Sequence, residues 1–343
     1  MSNEHIVILK NDAVGDLVHS LKAIDNITQS NDVEKITIFV SKLSKNFNFL
    51  FNHPKIKTKI INYDLTFVEK IKLFYFILVN KIDRIYILAP KNFYYFLPLF
   101  FFKIKFYAIC IDNINNYKRP APFFRKLLFK YVVNDRSAIF KRKSSAQIQN
   151  ELTFNVNSIN KMRKIEIKIN SELNMYLPKN YFYFHAKKKI LDELGWGIKE
   201  LKLVFNELLK FSENVVLTKD IELDINSGIF KKHFNSYDFS TKEYTDKSQK
   251  IIFYDNIDGE NLYNVIRLSK KVIAFHGMMT NLASINNVPV LDLFYTKINN
   301  WNDYRNYRNS FYEFKPKYNN YDFIIPKKNI NQTIKKMKFS LSK

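Results

Sequence analysis

A carboxylate at the start of a helix, one turn before a histidine, is suited to taking a proton from a substrate hydroxyl. The chain has this pattern in Ile6-Val7-Ile8-Leu9-Lys10-Asn11-Asp12-Ala13-Val14-Gly15-Asp16-Leu17-Val18-His19. Asp16 is the candidate base, because a helix N-terminus favours negative charge. The same aspartate serves equally well as a helix cap. His19, three residues on, falls on the same helix face, where it either orients Asp16 or touches a substrate, or is simply half-buried. A second set lies far along the chain in His276-Gly277-Met278-Met279-Thr280-Asn281. A glycine turn before a helix presents free N–H groups and the positive end of the helix dipole, which together hold an anion. Thr280 and Asn281 add side-chain donors there. Lys187 and Lys188, in the run Lys187-Lys188-Lys189, follow an apolar strand and would add positive charge, although such a run is also an ordinary solvated face. Asp258, Gly259 and Glu260 open another helix, where the two carboxylates suit either a ribose or the helix N-terminus itself.

Short apolar runs alternating with amphipathic stretches position these residues. Ile6–Leu9, Ile36–Val40, Lys59–Ile61, Arg84–Leu88 and Phe106–Ile111 read as strands. Helices are expected from Leu17, at Leu43–Phe51, at Val68–Val79 and at Lys91–Phe102. Residues from about Asn150 to Pro178 are polar and rich in Asn and Lys, as in a connection between domains. The alternation then resumes. Strands are expected at Tyr181–Phe184, Asn214–Leu217, Ile251–Tyr254 and Val272–Phe275, with Val288–Leu291 as the last. Helices are expected at Ile198–Leu209, at Gly259–Ser269 and from near Leu282. Such alternation indicates parallel, doubly wound α/β sheets. The expected organisation is two Rossmann-like domains facing a cleft, 1–170 and 178–326, followed by a basic tail or helix, 327–343.

The chain has 343 residues, 46% of them hydrophobic, enough for two cores. Glycine is scarce: six occur where average usage of about 7% would give roughly two dozen. Each therefore answers a specific backbone need, and Gly15 and Gly277 both fall between a strand and a helix. A single cysteine, Cys110, sits in an apolar run and excludes a disulfide framework within the chain and a cysteine-rich zinc site. No signal peptide opens the chain, and its most apolar region, Phe93–Ile111, is interrupted by Pro98, Lys103 and Lys105, so a cytoplasmic location is expected. The net charge is +23, and heavy use of Lys, Asn, Ile, Phe and Tyr is also what AT-rich coding produces. Location says more than the total. From Lys91 to Lys143 twelve Lys or Arg face only Asp112 and Asp135, interleaved with fifteen aromatic residues, a composition suited to an anionic membrane surface. No recognised nucleic-acid motif is present, and the basic residues lie within ordinary α/β elements, so no specific nucleic-acid partner is expected.

Two segments resemble the bacterial lipopolysaccharide heptosyltransferase family, glycosyltransferases of the two-Rossmann-domain GT-B type. Ile8–Ile24 resembles that family's first strand, its Gly-Asp turn and the leucine-rich helix after it. Leu262–Phe294 resembles its helix, strand, loop and Val-Pro-Val strand. The chain departs from the family where Asp-Thr-Gly is usual, having His276, Gly277 and Met278, with Asn281 where a histidine usually follows. The family's Lys-x-Trp segment is matched at Trp196 only, Leu194 taking the lysine position.

The resemblance implies a glycosyltransferase that moves a sugar, heptose in much of the family, from a nucleotide-diphosphate sugar to a lipid-linked or surface-polysaccharide acceptor, with inversion. Asp16 would be the base, and Lys187, Lys188 or Lys189 would carry the positive charge for the departing diphosphate. Asp258, Glu260, His276, Gly277, Thr280 and Asn281 would line the donor site. No Asp-x-Asp triplet occurs and the six histidines are dispersed, so neither a metal nor another cofactor is expected. The competing expectation is a non-catalytic relative that keeps the fold and binds a glycan or lipid.

Overall fold

The computed structural model describes residues 3–111, 130–134, 144–153, 165, 167–218, 227–247, 250–295, 311, 315 and 320–342. The chain divides into two compact units, Met1–Ile165 with Tyr312–Phe314, and Glu166–Phe311 with Lys315–Lys343. Of the basic stretch from Lys91 to Lys143, residues 112–129 and 135–143 lie outside the described residues.

In the first unit β1 (Glu4–Lys10), β2 (Val33–Ser41), β3 (Ile56–Ile61), β4 (Arg84–Ile87), β5 (Lys105–Ile111) and β6 (Lys130–Asn134) form one sheet. Its order is β3-β2-β1-β4-β5-β6, and every pair is parallel. Parallel sheets are covered on both faces, which is why Ile6–Leu9 can be an unbroken apolar run with no exposure at all. After β1 comes α1 (Val14–Thr28), with Leu17, Leu21 and Ile24 buried. Polar pairs register it against α3 (Ser145–Glu151): Ser20 hydrogen-bonds Gln149, and Asn26 bonds Asn150 and Thr153. Between β3 and β4 runs α2 (Phe67–Val79), opened by a reciprocal cap in which Thr66 accepts from the Glu69 amide and Glu69 accepts from the Thr66 amide.

Two expected helices are tighter than an α-helix. Lys42–Phe51 and Asn92–Leu99 are 3-10 segments. Phe47 breaks the first with φ −115° and ψ 16°, and Pro98 lies inside the second, where it cannot donate to a helical ladder.

The second unit has β7 (Tyr181–His185), β8 (Asn214–Thr218), β9 (Asn235–Asp238), β10 (Glu243–Thr245), β11 (Ile251–Asp255), β12 (Lys271–Phe275), β13 (Val290–Leu293) and β14 (Tyr321–Ile324). They form one sheet in the order β10-β9-β11-β8-β7-β12-β13-β14, parallel except for the antiparallel edge pair β10-β9. Its helices are α4 (Ser171–Tyr176), α5 (Lys188–Leu194), α6 (Ile198–Leu208), α7 (Ser227–His233), α8 (Gly259–Leu268), α9 (Met278–Ile285) and α10 (Ile330–Leu341). The core is rich in aromatic rings, with Phe184, Phe205, Phe253, Phe275 and Trp196 buried together. Two boundaries differ from the sequence expectation. Val288–Leu291 is not the last strand, since Tyr321–Ile324 pairs outside β13, and α9 begins at Met278 instead of near Leu282. The basic C-terminal segment forms α10, which buries Ile330, Thr333, Met337 and Ser340.

Both sheets are Rossmann-like, and in each the strand order reverses beside the unit's first strand; in the second sheet β9 also lies outside β11, out of sequence order. The reversal lies between β1 and β4 in the first unit and between β7 and β12 in the second. Such a switch point, at the carboxyl ends of the strands, is where doubly wound sheets bind ligands.

His185 ends β7 and is almost wholly buried, and burial, with the nearby Lys187 charge adding, pushes its pKa down from 6.5 to about 3. The unfolded chain therefore takes up this proton first. Stability present above pH 6.5 should fall as the pH drops towards 3, by about 1.4 kcal/mol per pH unit from this group. Urea titrations of wild type and His185→Gln should show a steeper acid limb for wild type; identical limbs would contradict the assignment.

Candidate functional site

In the first unit the loop at the switch point is Asn11-Asp12-Ala13, and its polar groups are held from both sides. Asn11 donates to the carbonyls of Asn62 and Tyr63 at 2.9 and 3.1 Å and accepts from the Tyr94 hydroxyl at 2.7 Å. Lys10, only 1% exposed, places its ammonium 2.6 Å from Asp12 Oδ2 and donates to the Leu88 carbonyl beyond β4. Burial pushes the Asp12 carboxyl up to about 6; Asp16 reinforces this and Lys10 opposes it. A buried carboxylate poised there was not singled out from the sequence. Its signal was the close spacing of Lys10 and Asp12 at the end of an apolar strand, which implies a buried pair.

Asp16 lies in the first turn of α1, partly exposed, and its carboxylate makes no hydrogen bond or ion pair with the described residues. It does not cap the helix, as the N-cap residue is Ala13 and no side chain caps there. Gly15 is likewise not the turn it was expected to be. It sits inside α1 and takes no positive φ. His19 is one turn further on and buried.

In the second unit the switch point joins the ends of β7 and β12. Lys187, the residue before α5, reaches across and donates from Nζ to the His276 carbonyl at 2.7 Å. Gly277 follows at φ 151° and ψ −142°, a conformation open essentially to glycine alone, and α9 begins directly after it. A Cβ on Gly277 would lie 2.6 Å from Lys187 Nζ, so the ammonium is set tightly against the turn. Thr280 closes the turn, donating to the Gly277 carbonyl at 2.8 Å and accepting from its amide. Asn281 is buried in the same helix. Lys188 lies elsewhere, paired at 2.6 Å with Asp192 on an exposed helix face. Asp258 is the N-cap of α8 and accepts from the Asn261 amide at 2.7 Å, while Glu260 is exposed in that helix's first turn.

His276 has a partner that sequence reasoning missed. Its Nδ1 lies 2.6 Å from Oδ2 of Asp292, a fully buried residue of β13, and the Tyr321 hydroxyl donates to the same oxygen at 2.7 Å. Phe294 packs against the imidazole with ring centroids 4.5 Å apart. The lone aspartate in Val290-Leu291-Asp292-Leu293 was a legible signal, since a carboxylate in a buried parallel strand needs a partner. An ammonium, free helix N–H groups and an oriented imidazole thus surround one turn, an arrangement suited to a phosphate or diphosphate.

No protein-family model matches the chain, and no curated protein matches it. Solved structures do. The ADP-heptose lipopolysaccharide heptosyltransferase II of E. coli superimposes with a TM-score of 0.66 at 12% identity, over 100% of this chain and 99% of that one. This chain has the fold of the heptosyltransferases. The E. coli heptosyltransferase WaaC, solved with ADP, matches at TM-score 0.59 and 11% identity, over 98% and 99% of the two chains. The same fold also serves a putative UDP-N-acetylglucosamine 2-epimerase of Listeria monocytogenes, at TM-score 0.58 and 12% identity, over 100% and 89%. One fold thus carries more than one reaction, and function must be argued from the site.

Gly277→Ala should destabilise the protein by about 1–3 kcal/mol, because alanine cannot adopt this backbone conformation without strain. Equal urea midpoints for variant and wild type would show that the turn is not held as described.

Proposed function

We propose that the protein is a glycosyltransferase that uses a nucleotide-diphosphate sugar. The observation that carries this reading is the Lys187 ammonium fixed at the glycine turn that opens α9. Positive charge and aligned N–H groups at a switch point suit the diphosphate of a donor, and they stabilise it further as it departs with added charge. His276, oriented by Asp292, contributes a polar contact to the donor. The unit that carries Asp16 supplies the base.

In the step itself an acceptor hydroxyl oxygen bonds to the anomeric carbon while the bond from that carbon to the phosphate oxygen breaks. Its electron pair leaves with the nucleoside diphosphate, and the acceptor proton passes to the Asp16 carboxylate. Direct displacement inverts the anomeric centre. The positive charge required at the leaving group comes from the protein, so the transfer is metal-independent. The acceptor is a lipid-linked or surface-glycan saccharide, and the family resemblance favours a heptose as the sugar moved.

Thermal shift against ADP-, GDP-, UDP- and CMP-sugars should reveal one stabilising donor class, with the shift largely lost in Lys187→Ala. With that donor, Asp16→Asn should lower turnover by about 10²-fold or more while leaving the donor shift intact. Near-normal turnover by Asp16→Asn would remove the base from the scheme, and an unchanged shift in Lys187→Ala would remove the phosphate site.

A further inference from the structure

The helix α2 is apolar nearly all round, with Glu69, Lys70 and Lys72 the exceptions. A helix of that composition is ordinarily buried on every side. Here only Leu73 and Ile77 are fully covered. Phe67, Val68, Ile71, Tyr75, Leu78 and Val79 are each between 52% and 75% exposed. At about 100° per residue these six fall within an arc of about 120°, forming one outward stripe with no acidic residue in it. The residues just after the 3-10 segment Asn92–Leu99 lie alongside, since the Phe74 and Phe100 rings are 5.4 Å apart, and Phe100 and Phe102 are 60% and 81% exposed. The exposed apolar area of the stripe alone is on the order of 600 Å², at the top of the range for soluble monomers.

Charge indicates what covers it. Between Lys55 and Lys105 ten Lys or Arg stand against three acids. Several of these cations border the aromatic residues directly: Lys59 Nζ lies 4.2 Å from the Phe76 ring centre, Lys70 Nζ 5.9 Å from Phe93 and Lys91 Nζ 3.6 Å from Tyr63. A second copy of the chain would bring two such basic rims together, whereas an anionic bilayer complements both the rings and the ammonium groups. Among the described residues no helix is long and apolar enough to cross a membrane, so contact would be with the surface.

We propose that the outer face of α2, with Phe100 and Phe102, is a docking surface for an anionic lipid bilayer. The stripe enters the boundary between headgroups and acyl chains, and the lysines stay at headgroup level. This surface lies largely outside the basic stretch that the sequence pointed to. It holds whatever the sugar chemistry proves to be, because vesicle binding is read without a donor, and failure of either reading leaves the other standing.

The test is flotation of the full chain with vesicles of equimolar phosphatidylglycerol and phosphatidylcholine, comparing wild type with Phe67→Ser/Ile71→Ser/Leu78→Ser. These side chains are exposed, so the variant should keep the wild-type thermal transition. Its partitioning should be weaker by about tenfold or more. Lys70→Glu/Lys72→Glu should weaken binding as well, without altering the stripe. Equal partitioning of wild type and the triple serine variant would overturn the proposal. So would a wild-type dimer in sedimentation that the triple variant fails to form, since the face would then be a self-interface.

Discussion

A single hydrogen bond, 2.7 Å from the Lys187 ammonium to the His276 carbonyl, joins the ends of two neighbouring parallel strands where the order of the second sheet reverses. The first turn of a helix leaves N–H groups without partners, and here it begins directly after that carbonyl. Gly277 makes the geometry possible, because its conformation excludes a side chain and lets the ammonium approach the backbone. Without the close approach the lysine would be another solvated surface charge, as Lys188 is. Thr280, bonded to both the amide and the carbonyl of Gly277, holds this arrangement in place.

The alternation of apolar runs with amphipathic stretches made the doubly wound fold readable, because buried parallel strands leave little choice of residue type. Segments that departed from regular geometry were less legible. Leu43–Phe51 and Lys91–Phe102 have helical spacing of apolar residues, and spacing alone does not separate an α-helix from a 3-10 turn with a break at Phe47 or a proline at 98. The strand Tyr321–Ile324 is four residues long, with only Ile324 buried, so it lacks the apolar run that marked its neighbours.

The site was legible in part. Treating the two glycines alike proved half right, since Gly277 takes the glycine-only conformation and Gly15 is an ordinary helical residue. Lys187 and Lys188 were equivalent in the sequence, and the structure separates them, since Lys187 meets the His276 carbonyl and Lys188 pairs with Asp192. Asp292 and Asp12 were less legible, because Asp292 lies inside a short buried strand and Asp12 pairs with a buried lysine two residues before it. The outward stripe of α2 was hidden for the opposite reason: its apolar residues read as core, and only the fold shows which of them remain outside.

The measurement that bears most directly on the central claim is a structure of the protein with a nucleoside diphosphate bound. The account predicts phosphate oxygens within hydrogen-bonding distance of Lys187 Nζ and of the backbone N–H groups that open α9, with Gly277 unchanged in conformation. Phosphates held at any other place, with the Lys187 to His276 bond intact and the turn empty, would contradict it.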